Sequence, residues 1–313
     1  MRVLMLFLDG VGIGKRNPHV NALMAAPLRS LRSLCGGEIP TLDRRAATTS
    51  HATVLPLDAT LGVAGLPQSG TGQAALLAGF NAAHMAGKHF GPYPYSTLRP
   101  VIGRLNIFRR ILDSGRSACF ANAFPKRFFE YMEHHATRLS MTTLSCTMAG
   151  IPLLRGADLV AGRAVSADIT NEGWRTLGYP EIRMVEPPEA GRRLAAISAE
   201  HDFVLFEYWK TDYAGHSRSM DEAIRVLERF DGLLQGVLEA LDSSRTLLLI
   251  TSDHGNIEDL SVKTHTRHPV PLVLYGHRHK EMAEILLARS HPSLPHVTPA
   301  IMRILTGGRA GHT

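Results

Sequence analysis

The sequence predicts an α/β sandwich: a mostly parallel sheet between helical layers, with a small cap inserted near the middle of the chain. Three observations carry this. Continuous apolar runs at 2–8 (RVLMLFL), 202–209 (DFVLFEYW), 246–252 (TLLLITS) and 271–276 (PLVLYG) read as strands buried on both faces. A helical stretch separates the second run from the third, as a crossover between parallel strands requires. From about Lys88 to about Arg193 the apolar periodicity weakens, broken by Pro, Gly and Arg.

The first run ends in an acid, Asp9, and a glycine pair brackets the turn after it. The start MRVLMLFLDG lacks a small-residue cleavage site, so it reads as a strand and not a signal peptide. The stretch 219–241 places Ile224, Leu227, Leu234, Val237, Leu238 and Leu241 at helical spacing. Ser219 and Glu222 supply a capping box at its start. The tail 296–308 (HVTPAIMRILTGG) reads as a closing helix ended by glycines. The proline-punctuated stretch 89–100 (HFGPYPYSTLRP) opens the weak middle. The expected organisation is a core of residues 1–87 and 194–313, with 88–193 as the cap.

Composition narrows the function classes. The chain has 313 residues, 44% hydrophobic and 20% charged, an ordinary globular balance. No apolar run approaches the roughly 20 residues that span a membrane. Cys35, Cys119 and Cys146 are odd in number and lack CxxC spacing, which points to a reducing, cytoplasmic setting without disulfides. The net charge of +6 comes from scattered arginines, which argues against a nucleic-acid arm and suits a small anionic substrate. Nothing in the sequence reports the oligomeric state.

Metal-capable side chains recur where strands give way to loops, where ligand sites gather in open α/β sheets. Asp9 ends the first strand. Asp212 and His216, in YWKTDYAGHS, are four apart. Asp253 and His254, in TSDHGN, follow the third run. His265 and His268, in KTHTRHPVP, precede the last. Each alone is an ordinary polar loop; jointly they supply oxygen and nitrogen ligands for two cations. Without thiolates, such sites suit Zn²⁺ or Mn²⁺, and Mg²⁺ less well. Paired ions of this kind recur in phosphoryl transfer. In GLPQSGTGQAALLAGF, Ser69 and Thr71 stand in a glycine-rich turn at the start of a helical run. A helix N-terminus holds phosphate and eases ionisation of a hydroxyl.

The motifs LFLDG, QSGTGQ, DYAGH, SDHGN and HTRHPVP, in this order, resemble those of the alkaline phosphatase superfamily of metalloenzymes. The likeness is nearest to cofactor-independent phosphoglycerate mutase, then phosphopentomutase, and covers residues 1 to about 85 and about 200 to 313. The resemblance implies that Ser69 is the phosphorylated nucleophile, with Thr71 as its rival. It implies that Asp9, Ser69, Asp253 and His254 hold one divalent ion, and Asp212, His216 and His265 the second. His265 fits the family pattern better than His268. Gly72-Gln73 departs from the mutase pattern, which has Gly-His. The C/S-x-P-x-R pattern of sulfatases is absent at this site. Lys88, His89, Arg99, Lys126 and Arg127 are candidate substrate contacts from the cap. The expected function is a phosphatase acting on a small phosphate ester. A phosphomutase, a phosphodiesterase and an inactive metal-binding protein are the alternatives.

Overall fold

The computed structural model describes residues 1–135 and 138–307. Residues 308–313, at the end of the expected core, lie outside the described residues, as does Gly308 of the predicted terminal cap.

A seven-stranded sheet runs in the order β2-β3-β10-β9-β1-β8-β4. Its strands are β1 (Arg2–Leu8), β2 (Ala47–Thr48), β3 (Ala52–Leu57), β4 (Ala118–Phe120), β8 (Phe203–Tyr208), β9 (Thr246–Thr251) and β10 (Val270–Gly276). A second sheet of β5 (Asn122–Phe124), β6 (Leu154–Arg155) and β7 (Val165–Ser166) has β5 at its centre.

Alternation along β1 explains the layers. Val3, Met5 and Phe7 point into one core, against Ala74 and Leu77 and against Phe108 and Ile301. Leu4, Leu6 and Leu8 point into the other, against Leu194, Leu227, Phe230 and Val237. A strand with helices on both faces has no polar side, so its sequence is continuously apolar. The sheet divides into two halves. β4, β8, β1 and β9 are parallel, whereas β10 runs antiparallel to β9 and β3. The segment 252–269 between β9 and β10 holds no crossover helix, so the chain turns back beside the strand it has just left. The run 271–276 is therefore a strand as read, in the opposite direction from the expected parallel one.

The amphipathic stretch forms the helix Met220–Ala240, and Ser219 accepts from Glu222 N at 3.3 Å. It packs on the helix Pro187–Glu200 at backbone contact. A Cβ on Gly191 would lie 2.0 Å from Leu233 O, and one on Gly236 would lie 1.9 Å from Pro188 O. Gly307, at φ +65°, closes the last helix, Val297–Thr306.

The span 88–193 is not one body. Helices Arg99–Leu105, Ile107–Asp113 and Met141–Ala149 send Ile102, Phe108, Ile111, Met141 and Leu144 into the main core, and β4 joins the main sheet. The chain leaves that sheet at Ala121. From there the small sheet builds its own core of Ala123, Leu159, Ala164, Trp174 and Ile182. Asn122 fastens the junction: its Nδ2 donates to Glu207 O at 2.8 Å, and its Oδ1 accepts from Glu207 N at 2.9 Å.

Gly191→Ala or Gly236→Ala forces two helix backbones apart. Each is expected to lower stability in urea unfolding by at least about 1–3 kcal/mol, the range for overpacking. An unchanged midpoint would mean the contact yields freely.

Candidate metal centre

β9, β1 and β8 lie side by side, with Phe7 in register with both Thr251 and Glu207. Asp9 and Asp253 each follow two residues after a paired position, so the register brings them together at the carboxyl edge. β8 runs through Trp209 into the helix Lys210–Ser217, which carries Asp212 and His216 one turn apart. Gly10, at φ +68°, makes the turn after Asp9; a Cβ there would lie 2.5 Å from Asp212 Oδ1. Ser69 is the first residue of the helix Ser69–Ala78.

The side chains form a row. Ser69 Oγ is 3.0 Å from His254 Nε2. The His254 and His265 rings stack at 3.8 Å. His265 Nε2 is 3.1 Å from His216 Nε2. Asp9 Oδ1 and Asp253 Oδ2 lie 3.4 and 3.5 Å from His254 Nε2. Asp212 lies 3.3 Å from His216 Nε2 and 3.6 Å from His265 Nε2. Ligand atoms of Asp212, His216 and His265 form one tight group, and those of Asp9, Asp212 and His254 another. The structure thus brings together every predicted ligand, with Asp212 reaching into both sets.

The protonation pattern is fixed from behind. His265 Nδ1 is 2.8 Å from Pro67 O, His254 Nδ1 is 3.4 Å from Gly255 O, and His216 Nδ1 is 3.4 Å from Lys263 O. A carbonyl only accepts, so Nδ1 carries the proton and Nε2 presents its lone pair to the row. Asp9 Oδ1 and Asp253 Oδ2 are buried without a hydrogen-bond partner. Facing lone pairs and orphaned carboxylate oxygens repel one another unless a cation sits among them. The donor set therefore fits divalent metal ions. Burial, then the carboxylates of Asp253, Asp212 and Glu207, push the Asp9 carboxyl well above its usual range. Burial also lowers the His265 imidazole, helped by His254.

Thr71 is turned away. Its Oγ1 donates to Gln68 O at 3.2 Å and accepts from Phe90 N at 3.2 Å. His268 is also outside the row, with Nδ1 3.1 Å from Glu258 Oε1. The cap candidates have other contacts. Lys88 Nζ lies over the Phe90 and Tyr95 rings, at 5.8 and 5.6 Å. His89 Nε2 is 3.1 Å from Thr60 O, and burial lowers its imidazole. Lys126 pairs with Glu130 at 3.4 Å, and Arg127 is exposed on the same helix. Arg99 begins the helix Arg99–Leu105.

Sequence reading missed three supporting residues. Glu258, 1% exposed, accepts from Gly12 N at 2.8 Å, Asn256 N at 2.7 Å and Thr266 Oγ1 at 2.5 Å. It ties the loops after β1 and β9 to the segment before β10. Gln73 Nε2 donates to Asp9 Oδ2 at 3.3 Å, which leaves Oδ1 for the row. Glu207 accepts from Thr142 Oγ1 at 2.6 Å, and burial, with the Asp253 charge, raises it from 4.5 to about 7. Its signal was visible as the one acid inside the apolar strand Phe203–Tyr208.

The strand ends of an α/β sandwich thus converge on a carboxylate–imidazole row beside a helix-borne serine, a candidate metal centre. Residues 180–306 match the profile of the Metalloenzyme superfamily. The 2,3-bisphosphoglycerate-independent phosphoglycerate mutase of Thiobacillus denitrificans is 34% identical over 134 residues, 40% of this chain and 25% of its own length. That of Antithamnion sp. is 32% identical over 111 residues, 34% of this chain and 21% of its own length. This chain thus spans about a quarter or less of the length of the curated relatives it matches. In fold, the alkaline phosphatase of the Antarctic bacterium TAB5 matches over 99% of both chains, with a TM-score of 0.56 at 13% identity. Residues 180–306 are thus similar to the Metalloenzyme superfamily, and the chain shares the fold of TAB5 alkaline phosphatase. Among the described residues, no helix is long and apolar enough to cross a membrane.

Glu258→Ala leaves several buried donors without an acceptor. It is expected to weaken metal binding about 10–100-fold by calorimetry, the effect typical of supporting residues. Stability in the metal-free protein also depends on pH. The folded protein holds protons on Glu207, between 4.5 and about 7, that the unfolded chain has released. Unfolding free energy then falls as pH rises through that window. Urea midpoints of EDTA-treated protein are expected to drop across it, and less so in Glu207→Gln; midpoints that rise instead contradict this.

Proposed function

We propose that this protein transfers the phosphoryl group of a small phosphate monoester through a phosphoserine at Ser69, with water as the final acceptor. The supporting observation is Ser69 Oγ at a helix N-terminus, 3.0 Å from His254 Nε2 and at the end of the lone-pair row. Asp9, Ser69, Asp253 and His254 would hold one divalent ion, and Asp212, His216 and His265 the other. Mn²⁺ and Zn²⁺ suit these ligands better than Mg²⁺. When bound, such ions supply Lewis acidity and neutralise charge on the transferring group.

The chain's own groups do the rest. The Ser69 hydroxyl gives up its proton and attacks phosphorus in line with the ester oxygen. The P–O ester bond breaks, the alcohol leaves with a proton, and phosphoserine remains. N–H groups at the start of the Ser69 helix stabilise the phosphoryl oxygens. Water then attacks the phosphoserine, releasing inorganic phosphate and restoring the hydroxyl. Hydrolysis is favoured because the row opens to solvent at His216, which is exposed. The segment around the small sheet acts as a modest cap.

A mutase is the second reading, supported by the names of the curated relatives. In it, a second substrate hydroxyl replaces water as acceptor.

Metal-loaded protein is expected to turn over p-nitrophenyl phosphate, and EDTA to abolish this. Ser69→Ala is expected to cut kcat/KM by roughly a thousandfold or more, and Thr71→Ser by less than about tenfold. Full activity in Ser69→Ala excludes the phosphoserine route. Phosphorus NMR separates the two readings: free phosphate means hydrolysis, whereas phosphate moved between carbons without release means a mutase.

A further inference from the structure

The open end of the ligand row carries aromatic rings. Asp253 and His254 have no exposure, whereas His216, at the far end from Ser69, is exposed. His216 and Asp212 share their helix with Tyr213, and Trp209 precedes it in helical geometry at φ −80°, ψ −11°. At about 100° per residue, Asp212, His216, Trp209 and Tyr213 fall within one arc of about 100°. Trp209 stands three residues before Asp212, and Tyr213 three before His216, the spacing at which helical side chains are neighbours. Trp209 is 44% exposed and Tyr213 64%. Their rings meet edge to face at 6.5 Å, and Lys210 Nζ lies 5.4 Å from the Trp209 ring.

Large rings left in water beside a polar centre mark a contact surface. In-line attack by Ser69 sends the leaving group away from the serine, along the row toward His216. We propose that Trp209 and Tyr213 form the leaving-group subsite and that it takes a planar aryl or heteroaryl group, so the preferred substrates are aromatic phosphate monoesters. This rests on the phosphoryl-transfer reading above and adds the substrate class to it.

Calorimetry on the metal-loaded protein, with phenylphosphonate and methylphosphonate as ligands that have no ester bond to cleave, tests the subsite. Wild type is expected to bind phenylphosphonate about tenfold tighter, the scale of one aromatic contact. The preference should collapse in Trp209→Ala/Tyr213→Ala and return in Trp209→Phe. Equal binding of both ligands by wild type, or a preference that survives in the double variant, overturns the proposal. So does a ring pair that serves only self-association, seen as a change in sedimentation with the preference unaltered. The kinetic arm compares phenyl phosphate with glycerol phosphate. A higher kcat/KM for the phenyl ester, reduced toward parity in the double variant, supports the subsite. If neither ester turns over while the phosphonate preference holds, the phosphatase reading fails and the aromatic subsite stands.

Discussion

Two imidazole nitrogens, Nε2 of His216 and of His265, face each other at 3.1 Å, each with its proton held on the far side by a backbone carbonyl. Beside them, Asp9 Oδ1 and Asp253 Oδ2 are buried without a donor. A protein interior does not gather so many electron pairs without a positive charge to receive them, because each would be better solvated by water. The remainder of the site follows from holding that arrangement against its own repulsion. The raised Asp9 carboxyl is one symptom, since burial and neighbouring carboxylates both oppose its charge.

The scaffold resists the repulsion by rigidity. Three adjacent parallel strands end together, so their following residues meet without long loops. Glu258 then draws the loops after β1 and β9 onto the segment before β10, through acceptors that each loop needs. Thr266 N also donates to Gly255 O at 3.0 Å, joining two ligand-bearing segments backbone to backbone. Gln73 adds to this hold, its amide donating to one oxygen of Asp9.

The middle of the chain serves two purposes. Its helices and β4 complete the main core, while the small sheet around Trp174 stands on β8 through Asn122. Glu207, at that junction, couples the small sheet's anchor to the charge of Asp253. The match to the Metalloenzyme superfamily lies in residues 180–306, the part that carries Asp212, His216, Asp253, His254 and His265.

The sequence by itself determined the strands at 2–8, 203–208 and 246–251, the helix Met220–Ala240 with its Ser219 cap, and the identity of the ligand-bearing loops. These are local properties: burial on both faces demands apolar runs, and helical amphipathicity has a period that can be read directly. Motif order led to the expected grouping of Asp9, Ser69, Asp253 and His254 and of Asp212, His216 and His265; the structure gathers Asp212 with His216 and His265, and also with Asp9 and His254. Tertiary structure alone decided the direction of β10, which depends on what fills the connection and not on the strand. It alone separated Ser69 from Thr71, because the two hydroxyls differ only in which neighbour each meets. The supporting roles of Glu258 and Gln73 were hidden, and Glu207 showed only as an acid inside a buried strand. A buried acid or amide looks like any other in a sequence until its partners, tens to hundreds of residues away, come within hydrogen-bonding distance.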